Sequence, residues 1–291
     1  MNTFLNLSRK GWHFVVTVVI LSIIPYFFIL QQGNTDSIWT LILMWTPTIA
    51  ALIIRLSNKE GIFTFNSWNP LKDFKWLLLA AFIPLIIELL SLFITLGLNG
   101  AELKPEFINV NDGLISLRGV GMIFGTEPQP WYILLPNYLF SYFIGVLLYS
   151  LFFAFGEEYG WRGYLQKEWA KNNELSGFIT IGIVWGLWHL PGILMGHNYP
   201  DYPVLGGFIL MPMLCSFFSI IFGITKNRKN VIWVAVLFHG ALNLSTDVSN
   251  TALIEESINK PLNDFVWGFL WGLTAIITWL GNRIKQKSAY K

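Results

Sequence analysis

The chain has 291 residues, of which 54% are hydrophobic, 16% aromatic and only 12% charged, about half the charge of an ordinary soluble domain. With a mean hydropathy of +0.54, that composition excludes a disordered chain, a fibrous repeat and almost every soluble enzyme fold, and it points to an all-α, polytopic integral membrane protein. The single Cys215 excludes an internal disulfide and a cysteine-based zinc site, and a net charge of +2 leaves no footprint for nucleic acid.

A membrane helix needs roughly 20 mainly apolar residues. In chain order the predicted spans are Gly11–Leu30, Ser37–Leu56, Trp76–Leu98, Tyr132–Phe155, Gly177–Met195, Val204–Ile224, Val231–Thr246 and Leu262–Gly281. The seventh is the shortest and most polar of the eight. The apolar run of the first is too long for a cleavable signal peptide, and no small-x-small site follows Leu30. The loop 101–130 is the longest and is expected outside, its apolar Gly119–Gly125 stretch resting on the membrane surface. Trp76, Trp131, Tyr132 and Trp233 near span ends fit interfacial anchoring.

Basic residues set the orientation, because cytoplasmic loops retain positive charge. With eight spans, all of the 19 Lys and Arg residues except Lys104, Arg118 and Lys260 fall on one side. The loops after spans two, four and six hold Lys59 and Lys72, Lys167 and Lys171, and Arg228 and Lys229; the two terminal segments are basic as well. This alternation predicts eight transmembrane helices, both termini in the cytoplasm and a single membrane domain over 1–291. Short loops and the absence of a targeting extension suggest a multi-pass protein of a prokaryotic plasma membrane.

Ionisable groups within spans cost roughly 2.5–3.5 kcal/mol each on insertion scales, so each needs a reason. Glu157, Glu158 and Arg162 stand in Phe155-Gly-Glu-Glu-Tyr-Gly-Trp-Arg-Gly, expected at the cytoplasmic end of span four. Glu158 and Arg162 are four apart and can pair on one helix face, with Glu157 rotated by about 100°. A charged helix end with Arg162 snorkelling to the interface would also account for them. Adjacent carboxylates argue for more, since like charges at low dielectric raise each other's pKa and make one a proton acceptor near neutral pH. His189 follows Trp185 on span five, while His239 and Asn243 share one face of span seven. Gly186, Gly192 and Gly240 beside them would allow close helix approach, and Pro191 would kink span five. Asn137 is a further polar residue within a span. Glu88 in span three lacks an evident partner and reads as a buried polar contact. His13 reads as structural and His197 as solvated. Ser219 and Cys215 on span six lack an adjacent base.

Taken together, Glu157-Glu158 with Arg162, Trp185 with His189, and His239 with Asn243 resemble the three motifs of the CPBP family (CAAX-processing and bacteriocin-processing, or Abi, intramembrane proteases), whose characterised members include the type II CAAX prenyl endopeptidases. Trp185 stands where the family usually has Phe. The motif-bearing core covers about 131–247. The resemblance implies an intramembrane endopeptidase that hydrolyses a membrane-associated peptide or protein. Glu157 would be general base on water, His189 would position it, and His239 and Asn243 would bind the oxyanion, with Glu158 and Arg162 as a supporting pair. No cofactor is required on this reading. Zinc stays open, with Glu157, His189 and His239 as its ligands; the absence of a His-Glu-x-x-His segment favours metal-free water activation. The competing readings are an inactive scaffold or immunity-type peptide binder, and a proton-coupled transporter, which would show repeated halves that this sequence lacks.

Overall fold

The computed structural model describes residues 7–35, 37–61, 74–117, 122–171, 174–229 and 231–289. The chain is mostly helical. Its elements are α1 (Arg9–Gln32), α2 (Ile38–Ser57), α3 (Phe74–Gly97), β1 (Ile108–Asn111), β2 (Leu114–Leu117), α4 (Trp131–Trp169), α5 (Leu175–Trp188), α6 (Leu190–Leu194), α7 (Pro203–Arg228), α8 (Ile232–Ala252) and α9 (Lys260–Ala289). Among the described residues six helices, α1 to α4, α7 and α9, are long and apolar enough to cross a membrane. The other two predicted spans are helical too. Span five corresponds to α5, only 14 residues long, continued by the short α6. Span seven corresponds to α8, whose second half is polar.

Two compact units divide the chain, and the boundaries fall at the start of α3 and within α4, α8 and α9. In the first unit (1–74, 152–236 and 271–291), α1 lies against α2 through Ser22 Oγ and Thr46 Oγ1 at 3.0 Å. The second half of α4 packs on α2 at Gly156 and Gly160, where any Cβ would strike the backbone of Met44 or Pro47. This small-xxx-small spacing lets the two backbones touch. Thr48 Oγ1 donates to the Gly156 carbonyl at 2.7 Å and Trp45 Nε1 to that of Phe152 at 2.7 Å. Gly186 does the same for α5 against Pro212 of α7. Gly192, by contrast, has ordinary room beside Tyr26, so the expectation of close approach fails there.

In the second unit (75–151 and 237–270), Gly240 of α8 meets Ser150 of α4, as expected. Leu92, Ala101, Phe107, Ala252 and Leu253 form a small core. The long loop contains one antiparallel hairpin, β1–β2, closed by Asp112 and Gly113 at φ 51° and 78°, the paired left-handed conformation of a type I′ turn. With the isolated bridges Leu103–Leu253 and Ile115–Gln129 it departs from the all-α expectation. Of the apolar Gly119–Gly125 stretch, 119–121 lie outside the described residues. Ile123 and Phe124 are exposed, and Asn137 and Ser141 hold their backbone.

Candidate active site

The fourth predicted span ends too early. Its helix does not stop at Phe155 but continues to Trp169, so Glu157, Glu158 and Arg162 lie in mid-helix, with Glu157 about 18 Å along the axis from Trp169. All three are buried, at 1%, 0% and 1% exposure, which removes the snorkelling alternative. Continuation is physically allowed because the charges compensate internally. Arg162 Nη1 donates to Glu158 Oε1 at 3.0 Å, and Nη2 to Ser219 Oγ of α7 at 3.2 Å. The guanidinium also lies over the rings of Trp185 and Phe222, at 4.3 and 5.1 Å, a dry sandwich that favours a cation.

Backbone irregularity frames these residues. The six-residue α-helical turn Phe155–Gly160 is bounded by π-helical segments Ser150–Ala154 and Trp161–Leu165. Such bulges widen a helix and recur at functional sites. They turn the two adjacent carboxylates to different neighbours. Glu158 meets Arg162, while Glu157 Oε2 accepts from Trp185 Nε1 at 2.6 Å. Trp185 therefore does more than form an aromatic wall. Its N–H holds Glu157 while its face covers Arg162, and a Phe could supply only the second contact.

His189 stands where α5 gives way to α6, and Pro191 sits in the first turn of α6. The broken helix agrees with the expectation drawn from Pro191. His189 Nδ1 bonds to the Trp185 carbonyl at 2.8 Å. A carbonyl only accepts, so the proton resides on Nδ1 and the neutral ring keeps Nε2 as its basic nitrogen. The break is braced from α1: Tyr26 Oη donates to the Trp188 carbonyl at 2.6 Å, and Trp188 Nε1 to Ser22 Oγ at 2.8 Å. Sequence reasoning missed the roles of Tyr26, Ser22 and Ser219, the last weighed only as a nucleophile. All three are neutral hydroxyls without a motif, and only tertiary contact reveals them.

The first unit thus holds Glu157, Glu158, Arg162 and His189. His239 and Asn243 belong to the second unit, on one face of α8, with His239 4% exposed and about 10 Å from the start of the helix. Among the described residues no group of three or more His, Cys, Asp or Glu side chains is placed to hold a metal ion. Cys215 is buried and unoxidised. Glu88, expected to lack a partner, has two: Ser249 Oγ and, at 2.9 Å, Trp267 Nε1. His13 is exposed and His197 half-buried.

The sequence was compared with known proteins. The model of the family described as "Type II CAAX prenyl endopeptidase Rce1-like" matches residues 139–245, a stretch that includes all seven motif residues. A protein of Methanococcus maripaludis named "CAAX prenyl protease 2" is 31% identical over 189 residues, covering 54% of this chain and 68% of the relative.

Proposed function

The chain belongs to the Rce1-like family of type II CAAX prenyl endopeptidases, and we propose that it is an intramembrane endopeptidase cleaving the tail of a membrane-attached protein by water that Glu157 activates. Membership and, among the described residues, six helices able to cross a bilayer make it a multi-pass membrane protein. We further propose eight spans with both termini cytoplasmic, in a prokaryotic plasma membrane; the charge alternation supports that topology.

The observation that carries the mechanism is the separation of two neighbouring carboxylates. Glu158 is paired with Arg162, whereas Glu157 Oε2 accepts from the neutral N–H of Trp185. One acid is thus tied up in an ion pair while the other is oriented by a neutral donor, and a positioned carboxylate is what a general base needs. In the proposed step Glu157 removes a proton from water as the oxygen adds to the peptide carbonyl. His239 and Asn243 donate hydrogen bonds to the resulting oxyanion. Collapse breaks the C–N bond, and the proton held by Glu157 passes to the leaving amine. His189 orients the water through Nε2, its ring fixed by Nδ1 on the Trp185 carbonyl. The chemistry assigned to these residues is complete without a metal, and we propose that none is needed. Chelation followed by stoichiometric zinc tests this: activity lost and then restored would contradict it.

The relative's name directs the choice of substrate. Purified protein in vesicles is given farnesylated and unmodified peptides ending in a CAAX sequence, beside a library of unrelated membrane-anchored peptides. Cleavage by the native protein that disappears in Glu157→Ala and His239→Ala supports the reading. Cleavage surviving both substitutions would defeat the mechanism. Peptide binding without turnover would favour the scaffold, and potential-driven solute uptake would favour transport.

A further inference from the structure

A second cluster of buried charge lies in the first unit, toward the basic ends of α2, α4 and α7. Lys226 of α7 is only 8% exposed. An ammonium carries three donors, yet among the described residues that of Lys226 meets one acceptor, the neutral Asn227 Oδ1 at 3.2 Å. Lys226 takes no part in the ion pairs Lys10–Glu60 and Arg162–Glu158.

Arg55 of α2 repeats the pattern. It is 4% exposed and donates to the carbonyls of Gly61 and Gly163 at 3.3 and 3.1 Å. Its guanidinium lies over the rings of Tyr159 and Tyr164 at 5.8 and 5.4 Å. Its Nε and the Tyr164 hydroxyl are buried with no hydrogen-bond partner among the described residues. Gln166 Nε2 donates to the Gly223 carbonyl at 3.2 Å, which joins the end of α4 to α7 one turn before Lys226. The next residue, Lys167, lies within electrostatic reach of both Arg55 and Lys226. Of the acids nearby, Glu60 pairs with Lys10 at 2.8 Å and also acts on the exposed Lys167, and Glu168 accepts from Ser8 Oγ at 2.7 Å.

Lys226 and Arg55 are buried cations with no carboxylate partner among the described residues, and an anion from outside would satisfy them. A lysine at the end of an apolar helix ordinarily snorkels into water, but this one is enclosed between helices, the setting in which basic pockets take lipid headgroups. We propose that Lys226, with Lys167 and Arg55, forms a binding site for the phosphate of an anionic lipid headgroup at the lysine-rich face of the membrane. The site is separate from the peptidase residues and does not rest on their activity.

The whole protein is reconstituted in nanodiscs of phosphatidylcholine with and without phosphatidylglycerol. Native mass spectrometry counts retained lipid, and thermal melting reports stabilisation. The native protein should retain phosphatidylglycerol over phosphatidylcholine, and Lys226→Met should weaken that preference roughly fivefold. Lys226→Arg should keep it, as should Lys285→Met at an exposed position of α9. If Lys226→Met does not fold, Lys167→Met against Lys226→Arg carries the same comparison. Equal retention of the two lipids, or an unchanged preference in a folded Lys226→Met protein, would overturn the site. Inorganic phosphate stabilising as strongly as phosphatidylglycerol would overturn the assignment to lipid.

Discussion

Glu157 in the first unit and Glu88 in the second are both buried in apolar helices, and both accept a hydrogen bond from a tryptophan indole. Their surroundings differ. Glu88 also receives the Ser249 hydroxyl, and its own helix, α3, is regular from Phe74 to Gly97. Glu157 has a second carboxylate beside it in the chain, an arginine one turn on, π-helical segments on both sides and, in contact with its indole donor, a histidine at a broken helix. Burial of an acid is therefore a poor guide to chemistry by itself. What distinguishes the proposed active carboxylate is irregular backbone together with other groups able to move or bind protons.

The sharpest way to break this contrast is to remove each acid in turn. Glu157→Ala should lower peptide cleavage about 10²–10⁴-fold, the usual contribution of a general base. Glu88→Gln should leave the cleavage rate within about threefold, because Gln keeps an acceptor for Trp267 and makes only a modest change in hydrogen bonding. Equal losses at the two positions would erase the distinction.

Arg162→Met comes next in size. It strands Glu158 in a dry site and should destabilise the protein by about 3–5 kcal/mol, as breaking a buried pair does. Thermal unfolding in detergent would show it, and adding Glu158→Gln should recover part of the loss. A folded Arg162→Met protein of native stability would mean that the pair contributes nothing.

Trp185→Phe is a finer probe, since it keeps a ring over Arg162 and deletes only the indole N–H to Glu157. A hydrogen bond to a charged group contributes about 1.5–3 kcal/mol. If that donor orients the base, kcat should fall about tenfold or more while the melting temperature changes little. Unchanged turnover would show that the indole only fills space.

Much of the architecture was legible because lipid imposes simple rules. Each of the eight predicted stretches lies on helix, since long apolar runs offer the backbone no alternative partner. Glu158 and Arg162 were legible as a pair because their spacing of four is local. The end of span four was misjudged because charge ordinarily ends a span, whereas here the Arg162 pair and the Trp185 donor let the helix run on to Trp169. One signal could have corrected it: Gly156-x-x-x-Gly160 announces close helix packing, not an exposed end. The contacts of Trp185 with Glu157, of Ser219 with Arg162 and of Ser249 with Glu88 join distant positions, and no local spacing encodes them. The two-residue turn Asp112-Gly113 was a readable hairpin signal, lost inside a loop treated only as a connection.

The account depends on acid, imidazole and amide groups of different helices serving one peptide bond. The direct measurement is a double-mutant cycle on peptide cleavage in vesicles, comparing Glu157→Ala, His239→Ala and the two combined. The account predicts a combined variant hardly slower than the slower single one, because groups that serve one step are not additive. Losses that multiply, each substitution acting as if the other were absent, would contradict it.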